Sequence, residues 1–455
     1  MNAAVIAAPL VAALLPAVLP PGTLRRCLRI ALALGAALLP LTLAGQLDRT
    51  GAAFTALVSV LAFLAVVFST GRGFFTRLSG DVVGDPDAAP AWSRVSVYFA
   101  LLGAFWSAML LVVTGSGFTA IWLGISATTL ATAFLVAFAG ESLALEAAWK
   151  YLILCSVGIA FALLGMLVLA HVTLGAAVPL PAPSVARIGV ALMLAGFATK
   201  AGLVPMHAWL PDAHSKAPAP VSGLLSGVLV SCALYALIRT LQVADVVGCG
   251  PFARETLLWF GVTSAVVAGA LMLVQTDLKR LLAYSTVEHA GIVAFALGLA
   301  TPLGDLAALL HVLAHGATKA AAFFAVGLVQ RETGTTALGE LRGLWRAGAA
   351  GRLLLGAIVG LCGLPPFGIF ATEMLVVIAG VAAGRWLPLG ALVIGLLLAF
   401  AALARIAIAI ESGGRAHPAA ALRTAGLRYA STGAAVVALA CACASIVLPW
   451  SGFAR

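Results

Sequence analysis

Seven ionisable side chains sit in apolar stretches that give them no ordinary place: Lys200, Glu288, His289, His311, His315, Lys319 and Glu373. Lys200 stands in GFATKAGLVP, with no acidic residue within ten positions on either side. An ammonium near the centre of a bilayer costs about 2.5–3.5 kcal/mol on insertion scales, so it is kept for a task. Pro205 follows it. Lacking an N–H, that proline leaves the carbonyl of Ala201, beside the lysine, as a free acceptor. Non-helical backbone at membrane depth must face protein or water, and the stretch reads as a hydrated, cationic point inside a helical bundle. His311, His315 and Lys319 recur every fourth residue, which puts all three on one helix face over about 12 Å of axis. One buried histidine is ordinarily satisfied by a backbone carbonyl, whereas three such groups in register make a hydrophilic stripe. Glu288 and His289 are adjacent and point about 100° apart on a helix, so one is expected to face the stripe and the other to pack. Glu373 lies two turns beyond a second break, Gly363-Leu364-Pro365-Pro366. Lysine, histidine and glutamate in such a file can hand on protons. For Glu373 and for Arg405, an ion pair that serves folding alone is the competing reading.

Other uses of these residue types fit less well. Haem needs axial ligands on facing helices, and His311 and His315 share one. Zinc would accept their i, i+4 spacing, but no third ligand is evident. Of the seven cysteines, Cys155, Cys232, Cys362, Cys441 and Cys443 lie in apolar stretches and no CxxC spacing occurs. Neither a redox cofactor nor a metal is expected. The net charge of +10 does not point to nucleic acid, because the basic residues come singly or in pairs between apolar segments, as membrane topology requires.

Such side chains need helices that cross a bilayer to position them. Hydrophobic residues make up 63% of the 455 and charged ones 9%, with a mean hydropathy of +1.12, too apolar for a water-soluble fold. The apolar segments run to about 20 residues, which suits about 30 Å of hydrocarbon, and strand-like alternation is absent. An all-α polytopic membrane protein is expected. The N-terminal apolar run has no Lys or Arg before Arg25, so it reads as a first span rather than a signal peptide. Spans 4 and 5 (95–115 and 117–137) form a tight hairpin, and the amphipathic ESLALEAAWK (141–150) is expected to lie at the interface. Span 7 (186–207) carries the first break, span 8 is 220–240, span 10 is 284–299 and span 11 is 305–330. Span 12 (353–381) carries the second break, span 13 is 386–410 and span 14 is 429–450. The total is about fourteen. Loops after odd-numbered spans hold 17 Lys/Arg and those after even-numbered spans 5, which puts the odd loops in the cytoplasm and both termini outside. The broken spans 7 and 12 are five apart. A repeat unit with an odd number of spans inserts its second copy upside down, so spans 4–8 and 9–13 are expected to be inverted repeats. The chain then divides into 1–94 (three spans), 95–240 (first repeat), 256–410 (second repeat) and 428–455 (last span).

GFATKAGLVPMHAWLPDAHSKAPAPVSGLLSGVL, DLKRLLAYSTVEHAG, HVLAHGATKAAAFFAVG and GLPPFGIFATE, in that order, closely resemble the proton-translocating antiporter-like subunits of respiratory complex I and its relatives. AAWKYLILCSVGIA and PMHAWLPDAHSKAPAPVSGLLSGVL look most like component F of hydrogenase-4 and similar subunits of membrane-bound nickel-iron hydrogenases. The resemblance implies a fourteen-helix fold with two inverted five-helix repeats and a water-linked axis of lysines, histidines and acids. Lys200 would be the central lysine of the first broken helix, His311, His315 and Lys319 would belong to the span joining the half-channels, and Glu373 would be the acid of the second broken helix. Two positions depart from the pattern: Ser126 stands where the family usually has a glutamate that pairs with the lysine, and Ser231 where complex I members often have a lysine. The implied function is a proton-conducting membrane-arm subunit in a bacterial-type inner membrane. It would work beside other membrane subunits and a peripheral cytoplasmic redox module, with no redox centre of its own. The alternatives are a subunit of a multisubunit cation/proton antiporter or of an inorganic-carbon uptake complex, and a scaffold subunit that has lost pumping.

Overall fold

A computed structural model of the chain describes residues 3–19, 23–42, 44–71, 94–174 and 183–412. Span 14 and the region 428–455, with Cys441 and Cys443, lie outside the described residues, as does most of the polar stretch between spans 3 and 4. Among the described residues every regular element is a helix, and ten helices are long and apolar enough to cross a membrane. In chain order they begin with α1 (Ala3–Leu14), α2 (Thr23–Leu41), α3 (Arg49–Ser69), α4 (Arg94–Thr114) and α5 (Gly117–Val136). Then come α6 (Ser142–Leu174), α7 (Pro183–Ala201), α8 (Trp209–Lys216), α9 (Ala219–Leu224) and α10 (Val230–Val246). The second half holds α11 (Gly250–Leu273), α12 (Leu278–Gly298), α13 (Pro302–Thr333), α14 (Leu344–Ala347), α15 (Ala349–Leu361), α16 (Gly368–Ala382) and α17 (Trp386–Glu411). Local chemistry sets the ends that matter for the site. Asp277 caps α12 by accepting from the Arg280 N–H at 2.9 Å, and Thr301 caps α13 by accepting from Gly304 at 3.0 Å. Gly334, with φ 81°, ends α13 in the left-handed conformation that a side chain disfavours.

The helices that carry the histidines and Lys319 are among the most enclosed. The membrane-length stretch of α12 is entirely buried and that of α13 is 89% buried, whereas only a third of the corresponding stretches of α6 and α17 is covered. A bilayer offers no partner for a buried imidazole or ammonium, so α12 and α13 must be wrapped by the other helices. Small residues let them approach. A Cβ on Gly227 would sit 2.6 Å from the Gly316 carbonyl, and one on Gly316 the same distance from that of Gly227. Gly227 lies in a π-helical turn, Leu225–Leu229, that joins α9 to α10; span 8 is therefore not a uniform helix. The extra residue of a π turn re-aims side chains without ending the helix, and here Ser226 meets Thr286 on α12 at 2.7 Å.

Two expectations about the helices change. The segment 141–150 is not a separate interfacial helix but the first turns of α6, a 33-residue helix. Nothing between Ser142 and Leu174 breaks the helix, and Ala144, Ala147, Ala148 and Tyr151 continue one buried face. Span 7 stops at Ala201 rather than at 207, because Gly202 turns left-handed (φ 73°) and the chain stays irregular until α8 begins at Trp209. The N-terminal spans are short or charged: the first helical run covers Ala3–Val18, and α2 carries Arg25, Arg26 and Arg29 in its first two turns. Arg25 donates to the Leu19 carbonyl at 2.9 Å, and the Arg29 guanidinium lies 3.9 Å from the centre of the Phe99 ring, so both buried cations have partners.

Candidate functional site

The break between α15 and α16 brings Glu373 down onto α12 and α13. The carboxylate lies over Gly363 (φ 64°), where an added Cβ would be 2.2 Å from Glu373 Oε2. All three members of the histidine and lysine stripe on α13 face α12. His311 Nε2 is 3.1 Å from His289 Nδ1, the His315 and His289 ring centres are 5.1 Å apart, and Lys319 Nζ donates to the Leu282 carbonyl at 2.8 Å and to the Ser285 hydroxyl. His311 also reaches α16, with Nδ1 2.9 Å from Thr372 Oγ1. Glu288 and His289 both join the cluster, contrary to the expectation that one would pack elsewhere: Glu288 Oε2 is 3.5 Å from His289 Nε2, and Glu373 lies with them. Three rotatable bonds carry the glutamate head across the angle that separates the two Cβ atoms. Glu288, His289, His311, His315 and Lys319 are all buried, and Glu373 is half-buried.

Gly363→Ala is expected to cost about 1–2 kcal/mol from the left-handed backbone alone and, in addition, to push the Glu373 head off α12. A thermal melt of the full chain in lipid nanodiscs, compared with Gly356→Ala, where a Cβ meets nothing within 4 Å, checks it. Equal melting points would contradict it.

Lys200 occupies the other broken helix, fully buried. Its Nζ donates to Thr129 Oγ1 at 2.7 Å and to Tyr151 Oη at 2.6 Å, and it lies 4.6 Å from the centre of the Tyr151 ring. Thr129 donates to the Ile125 carbonyl, and Tyr151 is 2.6 Å from Thr132, whose hydroxyl donates to the Thr128 carbonyl. The hydroxyl protons are thus committed elsewhere, and both oxygens are left to accept from the ammonium. Ser126 is not the partner. Its hydroxyl donates to the Trp122 carbonyl at 2.8 Å, one turn before Thr129. The backbone of the break is satisfied from the second half: Val204 N–H donates to Ser264 Oγ on α11 at 2.9 Å. Arg405 is outside the cluster, donating to the Gln275 carbonyl at 3.3 Å.

Beside the second group stands His214 on α8, fully buried, from the segment PDAHSKAP. Its ring is 6.1 Å from Trp209, whose ring is 4.9 Å from that of Tyr151 and tilted by 52°, and it lies within electrostatic reach of Lys279 and Lys319. His315 in turn is within reach of Lys319, His311 and His214. His214, Lys319, His315, His289, His311, Glu288 and Glu373 thereby form one cluster on α8, α12, α13 and α16, and Lys200 stands apart from it behind Tyr151 and Trp209. Where α8 ends, α12 begins and α13 ends, a cavity of about 520 Å³ opens, lined by Glu141, Lys216, Asp277, Lys279, Arg280 and Arg331 among others. Lys279, buried, donates to the Ala217 carbonyl at 2.6 Å and sits about one helical turn before Leu282 and nearly two before Ser285, the partners of Lys319. The missed residues carried a weak signal at best: Thr129, Tyr151 and Thr372 are single hydroxyls in apolar runs, and His214 and Lys279 stand in short polar stretches between spans.

The chain matches the family model described as the NADH:quinone oxidoreductase/Mrp antiporter transmembrane region over residues 116–399. It is 35% identical over 325 residues to a hydrogenase-4 component F homolog of Methylacidiphilum infernorum (isolate V4), a match covering 67% of each chain. An uncharacterized protein of Mycobacterium tuberculosis (strain CDC 1551 / Oshkosh) is 37% identical over 338 residues, 67% of this chain and 51% of that one, so the chain spans about half the length of that relative. Among solved structures, a chain of respiratory complex I from Thermus thermophilus superposes with a TM-score of 0.77 at 25% identity, covering 98% of both chains.

Proposed function

The chain belongs to the NADH:quinone oxidoreductase/Mrp antiporter transmembrane family, and from that membership we propose that it conducts protons as a membrane-arm subunit of a redox-driven complex. The observation that carries this reading is the file His214, Lys319, His315, His289 with His311, and Glu288 with Glu373, beside a second buried lysine, Lys200, in the other broken helix. A protein that only needed to fold would not enclose so many ionisable groups in its most deeply buried helices. The cavity above Lys279 supports proton uptake from one side: a proton taken up among its acidic and basic lining passes by Lys279 to Lys319. From there the imidazoles carry it to the paired carboxylates, and the break beside Glu373 supplies the exit. Lys200, held by Thr129 and Tyr151, loads the file from the first half.

We further propose fourteen spans in a bacterial-type inner membrane. The ten long helices, Ala3–Val18, α2, and the α15–α16 pair read as one broken span support thirteen, and 429–450 adds the last. The two breaks, each with a left-handed glycine (Gly202, Gly363) and a titratable residue close by, support inverted repeats over 95–240 and 256–410, flanked by 1–94 and 428–455. The cavity-lining loops then face the cytoplasm and both termini the outside. Reporter enzymes that work only outside the cytoplasm should be active when fused after Arg455 and inactive in the loop around Arg342; the reverse would sink this topology. Partners would be further membrane subunits and a cytoplasmic redox module. Affinity purification of the tagged chain tests this: co-purifying hydrogenase or quinone-reducing subunits support it, and a set of small antiporter subunits alone would replace it with cation/proton antiport.

A further inference from the structure

We propose that Glu288, His289 and Glu373 form a binding site for a divalent transition-metal ion such as zinc or cobalt(II), where α16 meets α12. One ligand atom from each residue lies within 4.8 Å of the other two. Two carboxylates alone would not point to a ligand; the direction of the histidine does. The Thr372 hydroxyl donates to the Gly368 and Ile369 carbonyls at 3.0 and 2.9 Å, so its oxygen accepts from the His311 Nδ1–H. His311 Nε2 is then left to accept from the His289 Nδ1–H at 3.1 Å. This network assigns the tautomers: in the neutral ring His289 Nε2 is a lone pair. It is buried in a residue 1% exposed, has no hydrogen-bond partner, and faces Glu288 Oε2 across 3.5 Å. A lone pair and a carboxylate oxygen so placed repel unless a proton or a metal ion lies between them, so the same place that receives a proton can hold a metal ion in exchange for it. Anchoring through the far nitrogen, here to His311, is also how metal-binding imidazoles are held.

The donor set selects the ion. Imidazole with carboxylates suits zinc and cobalt, whereas calcium and magnesium favour oxygen alone. A double charge balances both carboxylates in a buried place, and a monovalent ion would leave one uncompensated. A four-coordinate ion with bonds of about 2.0–2.2 Å needs ligands about 3.4 Å apart, so Glu288 and His289 are already spaced. Glu373, half-buried beside the exposed residues Leu364, Pro365 and Pro366, swings in over a short distance and offers the approach from outside. A water molecule takes the fourth position, as in zinc sites with three protein ligands.

The site stands on this geometry and does not depend on proton conduction. The full-length chain, purified without a polyhistidine tag and held in lipid nanodiscs, is titrated with cobalt(II) chloride and read by the visible absorption of four-coordinate cobalt, then back-titrated with zinc. One equivalent should bind and be displaced by zinc. Glu373→Gln and His289→Gln should each weaken binding by at least about 10–100-fold, the loss that even outer-shell changes cause. Glutamine is isosteric with Glu373, so that variant keeps its fold. Unchanged affinity in both variants, or no more cobalt held than by empty nanodiscs, would overturn the site.

Discussion

Lys319→Met is expected to lower proton flux through the reconstituted complex by about 10²-fold or more, the scale on which a positioned proton-transfer group acts, while assembly and electron transfer continue. Lys319 Nζ is the group between the Lys279 cavity and the histidines, bonded to the Leu282 carbonyl and Ser285 on α12. Methionine keeps the length and apolar stem of lysine but carries no proton. Replacing a buried charge by an apolar group of similar volume is often neutral or stabilising. Against that stands the loss at the carbonyl and hydroxyl left behind, about 1–3 kcal/mol. The two nearly offset, so the variant should assemble. Flux measured with a pH-sensitive dye inside proteoliposomes under an imposed potential, beside a gel-filtration profile of the complex, separates the outcomes. Normal flux would remove Lys319 from the path, and a complex that falls apart would make the lysine structural.

The second large effect belongs to Lys200 and its unusual partners. Tyr151→Phe removes the acceptor 2.6 Å from Lys200 Nζ and leaves Thr129 as the remaining hydroxyl bonded to it. A hydrogen bond to a charged group contributes about 1.5–3 kcal/mol, so flux should fall about 10- to 100-fold. Ser126 lies on α5 one turn before Thr129 and is half-buried. Ser126→Glu would place a carboxylate near the ammonium, and an anion there can replace what the phenol supplied. It is therefore expected to raise flux in the parent chain and to restore most of it in the Tyr151→Phe background. Parent-level flux in Tyr151→Phe, with no response to Ser126→Glu in either background, would mean that the first broken helix takes no part in conduction and would favour a scaffold role for this half.

The sequence carried the parts of the site that periodicity and backbone chemistry write into it. A repeat of four along α13 can only be one helix face, and Gly202 and Gly363, each followed by proline, mark breaks that a helix cannot pass through. The family membership stated from four motifs also stands. What could not be read was pairing across the fold. Thr129 and Tyr151 lie 71 and 49 residues from Lys200, and hydroxyls are common in membrane helices, where most simply bond a carbonyl one turn back. His214 looked like part of a polar loop because α8 is short, and only the packing of α8 under α6 and α12 makes it central. The misplaced helix at 141–150 has the same origin: an amphipathic decamer fits an interfacial strip as well as the end of a longer helix, and the buried face shared with Tyr151 decides between them.

The most direct measurement is the number of protons moved per electron transferred, in proteoliposomes of the affinity-purified complex carrying either the parent chain or Lys319→Met. The account predicts an equal electron-transfer rate per complex in uncoupled vesicles and a lower proton-to-electron ratio in the variant, by the share this subunit carries. An unchanged ratio would contradict it.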